Sequence, residues 1–218
     1  MTGEVEPSDA VRVAFGDNAD QARRYAELLA TVGVERGLIG PRETDRIWGR
    51  HLFNSAAVAT LISTAASVID LGSGAGLPGI PIALARPDLH VVLLEPMARR
   101  VRFLDECVQE LGLANVAVRH SRAQDSPGSG ADVVVARAVA PLPTLAALAR
   151  PLTKPRGVLL ALKGAKAQAE AAALESGGGA TARIHQLVDA AGQPATVAEV
   201  RWVDAKVRRP ARHGRKTS

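Results

Sequence analysis

The sequence predicts an α/β fold in which helices cover both faces of a seven-stranded, mostly parallel sheet, with a helical segment before the first strand. From Val68 onward, short apolar runs alternate with helical patterns, which is typical of βαβ units around a parallel sheet. The last two apolar runs have no helix between them and predict a hairpin that adds an antiparallel strand. Before Val68, apolar residues recur at helical spacing and no strand is predicted.

The segment before the sheet predicts three helices. The first begins at Asp17 as its N-cap and ends at Gly33. One face of this helix carries the apolar residues Ala22, Tyr25, Leu29 and Val32. The second helix begins near Pro41, and the third runs through Ala56 to Ile62. Together they predict a helical extension.

The sheet is predicted from seven apolar runs. The predicted strands are 68–71, 90–95, 116–119, 132–136, 158–162, 182–188 and 196–203, and the predicted helices between them lie near 80–86, 97–111, 142–150 and 165–175. We expect three parts, which are an extension packed on the core (1–64), the main domain (65–205) and a basic tail (206–218).

Composition excludes several classes of protein. With 218 residues, 47% of them hydrophobic and 22% charged, the chain has the composition of a folded globular protein rather than a disordered one. Cys107 is its single cysteine, so an internal disulfide and a cysteine-based zinc site are excluded, and we expect no metal. No apolar run reaches the length of a membrane span and no secretory signal is recognised, so we expect a cytoplasmic protein. We also expect it to be a monomer.

Positive charge is concentrated at the C-terminus. Residues 206–218 carry six Lys and Arg residues and no acid, whereas the net charge of the whole chain is only +5. Such a tail either keeps the protein soluble or attracts nucleic-acid phosphates. Arg99, Arg100 and Arg102 lie within one predicted helical turn and form either a solvated face or a second basic rim.

A glycine-rich turn follows the first predicted strand. Asp70 ends the strand, and Gly72, Gly74 and Gly76 lead directly into a helix. Glycines allow positive φ and a close approach of a ligand to the main chain. A dinucleotide-binding turn would place its third glycine where Leu77 stands, so a nicotinamide dehydrogenase fits poorly. The spacing favours S-adenosylmethionine, whose ammonium group a carboxylate near the strand end, such as Asp70, could help hold.

Two further groups follow strands at the same edge. Glu95 ends the second strand, 19 residues after Gly76, and an acid at this spacing accepts hydrogen bonds from both ribose hydroxyls of an adenosine. After the third strand, we expect Gln124 or Asp125 and the backbone near Ala123 to bond the adenine edge. The alternative is a purely structural turn with Glu95 as a solvated strand end.

Five segments carry a resemblance to a known family. They are Arg50 to Ser55, Asp70 to Pro81, Arg100 to Leu104, Ala136 to Ala138 and Ala161 to Gly164. In this order they resemble the bacterial small-subunit (16S) ribosomal RNA guanine-N7 methyltransferases, also called glucose-inhibited division protein B. The resemblance implies a class I, Rossmann-like methyltransferase fold, S-adenosylmethionine as methyl donor with S-adenosylhomocysteine as product, and a guanine of ribosomal RNA or the small ribosomal subunit as acceptor.

The resemblance also assigns roles by position. The family's donor-binding residues fall on Gly72, Leu77, the pair Ala123-Gln124, and Arg137. Other members commonly have Asp where Asn54 stands, and often an acid at Gln124. Guanine N7 carries a lone pair and no proton, so no general base is needed and catalysis depends on alignment.

The residues expected to position the acceptor are basic. Arg137 either stacks on the base, holds a phosphate or forms a structural salt bridge, and Lys163 is a second candidate for a phosphate. Arg50 and His51 contact RNA or form an interior polar contact. Two alternatives stay open, namely a methyltransferase for another RNA or a small molecule, and a non-catalytic RNA-binding ribosome assembly factor.

Overall fold

The computed structural model describes residues 8–126 and 130–203. The strands are β1 (Ser67–Leu71), β2 (His90–Glu95), β3 (Val116–His120), β4 (Ala131–Arg137), β5 (Thr153–Lys163), β6 (Ala180–Val188) and β7 (Pro194–Trp202). The α-helices are α1 (Ser8–Phe15), α2 (Ala19–Leu28), α3 (Asn54–Ala57), α4 (Gly79–Ala85), α5 (Ala98–Glu110), α6 (Leu142–Ala149) and α7 (Ala167–Ser176). Short 3-10 helices occupy Gly16–Asn18, Pro41–Arg46, Val58–Leu61, Ala123–Asp125 and Arg150–Leu152, and π-helical turns occupy Leu29–Gly33 and Ile47–Phe53.

The seven strands form one sheet in the order β3-β2-β1-β4-β5-β7-β6. The strands β1 to β5 pair in parallel, and β7 pairs antiparallel with both β5 and β6. The predicted α/β fold with a closing hairpin is therefore confirmed. The strand order reverses at β1, which lies between β2 and β4, and ligands of open α/β sheets bind at the carboxyl ends of strands beside such a reversal.

Both faces of the sheet are covered, and alternate residues of each strand serve the two layers. Val68 of β1 belongs to the core that the extension, α4 and α5 share with the sheet. Ile69 and Leu71 point the other way, into the core beneath α6 and α7. Asp70 alternates with these two residues and therefore faces the layer that contains the extension.

The first helix of the extension differs from the prediction at both ends. Asp17 is not the N-cap, because it lies in a 3-10 turn and α2 begins at Ala19. The preceding Asn18 makes no capping bond and instead donates its amide Nδ2 to the carbonyl of Leu84 at 2.8 Å. The helical backbone passes through a π turn that ends at Gly33 and continues for two more residues. The start of α2 differs from the prediction because Asn18 bonds to α4, a contact that local helix propensity does not encode.

The second and third predicted helices are a single helical run. The backbone stays helical from residue 41 to residue 61, changing between 3-10, π and α geometry. The π-helical part buries Ile47, Trp48, His51, Leu52 and Phe53. The segment that joins the two predicted helices is therefore itself helical and largely buried.

Two sequence expectations concern other parts of the chain. The basic tail, 206–218, lies outside the described residues. Within the described ranges, no helix combines the length and the apolar character that crossing a membrane requires.

Candidate active site

The carboxyl ends of four parallel strands bring the predicted site residues to one edge of the sheet. The glycine loop follows β1, Glu95 ends β2, Arg137 ends β4 and Lys163 ends β5. Since parallel strands all point the same way, residues separated by up to about ninety positions in the sequence meet here.

The glycine loop has a backbone conformation that residues other than glycine rarely adopt. Gly72, Gly74 and Gly76 have φ angles of +70°, +61° and +97°. A Cβ on Gly74 would come within 4 Å of only the Gly72 carbonyl, at 3.9 Å, so this glycine leaves open space beside the loop. A Cβ on Gly76 would lie 2.5 Å from Ile80 and 2.9 Å from the Tyr25 hydroxyl. Gly74 therefore opens the loop toward a ligand, and Gly76 lets the loop pack against the protein.

The Tyr25 hydroxyl fastens the extension to this loop. It donates to the carbonyl of Ala75 at 2.7 Å, and Tyr25 is completely buried. Burial raises the pKa of Tyr25 well above its usual value, so the hydroxyl stays protonated and remains a donor. Sequence reasoning identified Tyr25 only as an apolar helix position, since the partner lies 50 residues away.

Glu95 is buried and holds the loop from the side of β2. Its Oε2 accepts a bond from the backbone N–H of Gly74 at 2.9 Å, and its Oε1 accepts one from Met97 at 2.9 Å. Arg100 lies 3.7 Å from Oε2. The alternative of a solvated strand end is wrong, because Glu95 is only 1% exposed. A carboxylate has about four acceptor positions, so both oxygens keep capacity for a ligand hydroxyl.

A cavity of about 480 Å³ opens beside the loop. Its wall includes Gly72, Gly74, Leu77, Glu95 and Arg137 of the predicted site, together with Leu38, Ile39, Glu43, His51, Arg100 and Val139. This volume lies within the usual range for sites that bind small molecules and cofactors. The extension thus supplies one side of the cavity and the sheet edge the other.

Arg137 is held by two residues of the extension. Its Nη1 donates to the carbonyl of Arg50 at 3.1 Å, and its Nη2 contacts Nδ1 of His51. The other ring nitrogen of His51 lies 3.0 Å from Oε2 of Glu43. Because a guanidinium can only donate, Nδ1 accepts and Nε2–H donates to Glu43, which fixes the tautomer. The interior alternative for His51 therefore agrees with the structure.

Electrostatics keep this histidine neutral. Burial, reinforced by the positive charge of Arg137, lowers the pKa of His51 to about 4. A protonated ring would direct two donors at Arg137 and Glu43 and lose its acceptor. At neutral pH the chain Glu43–His51–Arg137 is therefore fully matched in donors and acceptors.

A second cavity of about 360 Å³ lies on the other side of Arg137. It shares Glu43, His51, Arg137 and Ala138 with the first cavity, and its other lining residues are Arg50, Asn54, Leu162, Lys163 and Gly164. The ammonium of Lys163 donates to the carbonyl of Ala140 at 2.7 Å and pairs with Glu170 at 2.8 Å. Arg50, whose side chain is 59% exposed, is the freer cation of this cavity.

Other predicted residues lie behind the cavity or beside it. Asp70 is completely buried, and its Oδ2 accepts a bond from the backbone N–H of Gly79 at 3.0 Å. Burial raises the pKa of Asp70 to about 7. Asp70 does not line the first cavity, and its bond to Gly79 shapes the turn. Its Oδ1 has no hydrogen-bond partner among the described residues, and a role in holding the ammonium group stays a prediction. Ala123 is buried and Gln124 exposed on the 3-10 helix after β3.

The site also contains residues that sequence reasoning did not assign to it. Glu43 lies in the 3-10 segment of the extension and contributes to both cavities, but no motif marks it. Arg100 lines the first cavity, although its sequence context indicated only a basic rim. The available signal was its position in the first turn of α5, the helix that follows β2.

The residues of the first cavity fit S-adenosylmethionine. The acceptor oxygens of Glu95 line the wall, the open side of Gly74 lets a ligand reach the main chain, and the volume suits a nucleoside with an amino-acid arm. Glu95 ends β2 and Gly74 follows β1, the strand at which the strand order reverses. This placement is that of nucleoside sites in open α/β sheets.

Comparison with known proteins agrees with this assignment. A family model described as GidB, rRNA small subunit methyltransferase G, matches residues 18–195. The chain is 59% identical over 171 residues to ribosomal RNA small subunit methyltransferase G of Thermobifida fusca (strain YX), covering 78% of this chain and 72% of that protein. It is 50% identical over 206 residues to the protein of that name from Mycobacterium sp. (strain JLS), covering 90% and 91%.

A solved structure shows the same fold. The S-adenosylmethionine-dependent methyltransferase of Aquifex aeolicus aligns with a TM-score of 0.55 at 16% identity, covering 82% of this chain and 97% of that one. The predicted class I, Rossmann-like fold is thus confirmed. Because the family match extends from the extension to the last strand of the sheet, the chain belongs to the GidB family, rRNA small subunit methyltransferase G, and is an S-adenosylmethionine-dependent methyltransferase.

Proposed function

We propose that this protein transfers a methyl group from S-adenosylmethionine to N7 of a guanine in small-subunit (16S) ribosomal RNA. The observation that carries this proposal is the shared wall between the two cavities. Arg137 and Ala138 border both the cavity at the glycine loop and the basic cavity that contains Arg50 and Lys163. A donor in the first cavity and an RNA base in the second would therefore meet at Arg137.

The first cavity would hold the cofactor. Glu95 accepts bonds from the ribose hydroxyls, while Gly72, Gly74 and Leu77 shape the surface against which the cofactor lies. Asp70 and Gly76 keep the loop in its conformation from behind. For Ala123 and Gln124, we propose contact with the adenine edge from the helix after β3, in keeping with the family resemblance.

The second cavity would hold the acceptor nucleotide. Arg137 is aligned by Glu43 and His51, so its planar guanidinium reaches the acceptor with little further loss of rotamer freedom. Arg50 attracts a phosphate, and Lys163 fixes the loop after β4 through the Ala140 carbonyl. Because N7 of guanine is hidden in the deep major groove of an A-form helix, the acceptor is a loop nucleotide or one splayed out of its stack.

Bound S-adenosylmethionine supplies the methyl group and the positively charged sulfur that activates it. The protein supplies alignment and exclusion of water. N7 needs no deprotonation, so the neutral His51 and the charged Arg137 act by position and not as acid and base. We therefore expect a turnover rate that depends weakly on pH around neutrality.

The experiment uses small ribosomal subunits and naked 16S RNA from cells that lack the gene. The protein and S-adenosylmethionine carrying a labelled methyl group are added, and digested nucleosides are identified by mass spectrometry. We expect label in 7-methylguanosine, and a Gly74→Val variant should lose both cofactor binding and labelling. Label in another nucleoside, or none with correctly folded protein, would refute the proposed acceptor.

A further inference from the structure

A small cleft lies at the edge of the sheet opposite the active site. We call it the arginine cleft and define it by its lining residues, which are Arg150, Arg156, Gly157, Arg201 and Trp202. Arg156 and Gly157 belong to the first half of β5, and Trp202 ends the antiparallel β7. The six residue steps along β5 from Gly157 to Lys163 correspond to about 20 Å. The arginine cleft is therefore separate from both cavities of the active site.

The charge of the arginine cleft is only partly balanced. Arg201 pairs with Glu199, Nε to Oε1, at 2.6 Å. Within the ranges that the structure covers, no carboxylate pairs with Arg150 or Arg156, and both residues are exposed. Two guanidinium groups at one small concave site attract an anion, and their fork of donors matches the oxygens of a phosphate.

Arg150 is held in place before any ligand arrives. Its guanidinium carbon lies 5.2 Å from the centre of the Trp202 ring. Stacking on an aromatic face fixes the plane of a guanidinium and leaves the N–H groups at its edge able to donate. Less side-chain freedom is then lost when an anion binds.

Arg156 has an unusual backbone. Its φ angle is +68°, in the left-handed region that residues other than glycine seldom adopt. Such strain is concentrated at functional sites, where the surrounding structure maintains it. A glycine at this position would remove the strain, yet the chain carries an arginine that lines the cleft.

We propose that the arginine cleft binds a backbone phosphate of the RNA substrate, at a second contact remote from the nucleotide that is methylated. The proposal rests on the proposed function for the identity of the RNA. The cleft volume of about 180 Å³ accommodates a phosphate group and is small for a whole nucleotide.

The principal test removes both unpaired cations with Arg150→Gln combined with Arg156→Gln. We expect KM for small subunits or 16S RNA to rise about tenfold, and the log-log salt slope of RNA affinity to fall by roughly 0.7 for the one phosphate that the cleft neutralises. Turnover at saturating RNA and cofactor affinity should stay unchanged, because the active site lies at the other edge. Arg12→Gln removes an exposed cation from α1 and serves as the control, which should behave like the unmodified protein.

Two more variants separate the cleft from general charge and folding effects. Arg156→Gly should raise the thermal midpoint by relieving the left-handed backbone, and still weaken RNA binding. Trp202→Leu keeps every charge but removes the stacking surface, and should raise KM by a smaller factor. Inorganic phosphate at millimolar concentration should compete with RNA in the unmodified protein more strongly than in the double variant.

The outcomes distinguish this proposal from the proposed function. RNA affinity is also measured by fluorescence polarisation without cofactor, so the cleft can be assessed whatever nucleoside is methylated. An unchanged KM, affinity and salt slope in the double variant would refute the cleft as an RNA-binding site. An equal weakening of RNA binding in the Arg12→Gln control would refute it too, because it would show a general charge effect.

Discussion

At the scale of single residues, the site is built from buried and half-buried polar groups, most of which hydrogen-bond to one another or to the backbone. Arg137 donates to the extension, His51 accepts from it, and Glu43 accepts from His51. Asp70 and Glu95 each accept backbone N–H groups of the glycine turn. Hydrogen bonds offset the cost of burying these groups, except at Oδ1 of Asp70, which has no partner among the described residues. The bonds to Gly74 and Gly79 fix the loop before a ligand binds.

Replacing Glu95 tests the cofactor site. We expect Glu95→Ala to weaken S-adenosylmethionine binding by about 1 to 3 kcal/mol, because the variant can neither bond the ribose nor restrain Gly74. Titration calorimetry measures the affinity, and circular dichroism verifies the fold. Glu95→Gln is the matched control and should weaken binding less, since its amide oxygen still accepts. Affinity close to that of the unmodified protein for Glu95→Ala would contradict the assignment.

Replacing Asp70 tests two opposed titrations. The pKa of Asp70 is raised from 3.8 to about 7, so in this interval the folded state binds more protons than the unfolded one and stability falls as pH rises. The pKa of His51 is lowered from 6.5 to about 4, so its contribution rises with pH over much of the same interval. In the unmodified protein the two contributions oppose each other between pH 4 and 6.5.

The Asp70→Asn variant lacks the contribution of Asp70 to the pH dependence of stability and keeps that of His51. The free energy of unfolding should then increase from pH 4 to 6.5 by up to about 3 kcal/mol, the value for one histidine with this pKa. Urea denaturation at several pH values measures it. The same pH dependence in the variant and the unmodified protein would show that Asp70 does not titrate in this range.

At the scale of elements, the sheet was predictable and the extension was not. The predicted and observed bounds of β2 agree, because Val91 to Leu94 is an apolar run bounded by polar residues. β5 begins at Thr153, five residues before its predicted start. The prediction omitted this part of the strand because Lys154, Pro155 and Arg156 lack the apolar pattern of a buried strand. The π and 3-10 turns of the extension were not predicted, because apolar periodicity distinguishes a helix from a strand but does not distinguish one helix type from another.

The same distinction applies to the active site. Glycine spacing and the position of Glu95 predicted the cofactor loop, because both lie within one βαβ unit. The contact between His51 and Arg137 spans 86 residues, so only the family resemblance suggested that these residues act together. No sequence motif marks Glu43. Its place in the site follows only from the fold, in which the extension lies beside the edge of the sheet.

The attachment of the extension is tested with Tyr25→Phe. This change removes the bond to the Ala75 carbonyl while keeping the ring, so a buried acceptor is left without its partner. We expect stability to fall by about 1 to 3 kcal/mol and cofactor binding to weaken. Urea unfolding and calorimetry measure the two effects. Thr31→Val removes an exposed hydroxyl bond of the extension and is the control, expected to change stability by less than about 0.5 kcal/mol.

At the scale of the whole molecule, the sheet separates two regions of positive charge. The basic cavity lies at the carboxyl edge of the parallel strands, and the arginine cleft lies at the amino edge of β5. An RNA that reaches both regions must follow the surface of the protein for about 20 Å. At about 3.4 Å per stacked nucleotide, this distance corresponds to about six nucleotides, so an RNA shorter than that reaches only one of the two regions.

Deleting residues 206–218 tests the basic tail. If its six cations bind RNA phosphates, the deletion should lower RNA affinity and flatten its salt dependence, by up to roughly 0.7 to 0.9 in log-log slope for each phosphate that the tail neutralises. Cofactor affinity should stay nearly unchanged. The measurement is RNA affinity across a salt series for the deletion and the full chain. An unchanged slope would leave solubility as the role of the tail and direct attention to Arg99, Arg100 and Arg102.

The wall shared by the two cavities has a thermodynamic consequence. Because Arg137 belongs to both, a ligand on one side that favours a particular setting of its guanidinium changes the free energy of binding on the other side. Such coupling is reciprocal, so the factor by which the cofactor alters RNA affinity equals the factor by which RNA alters cofactor affinity. When S-adenosylmethionine and its demethylated product differ in this factor, the RNA affinities of the two complexes differ by the same ratio.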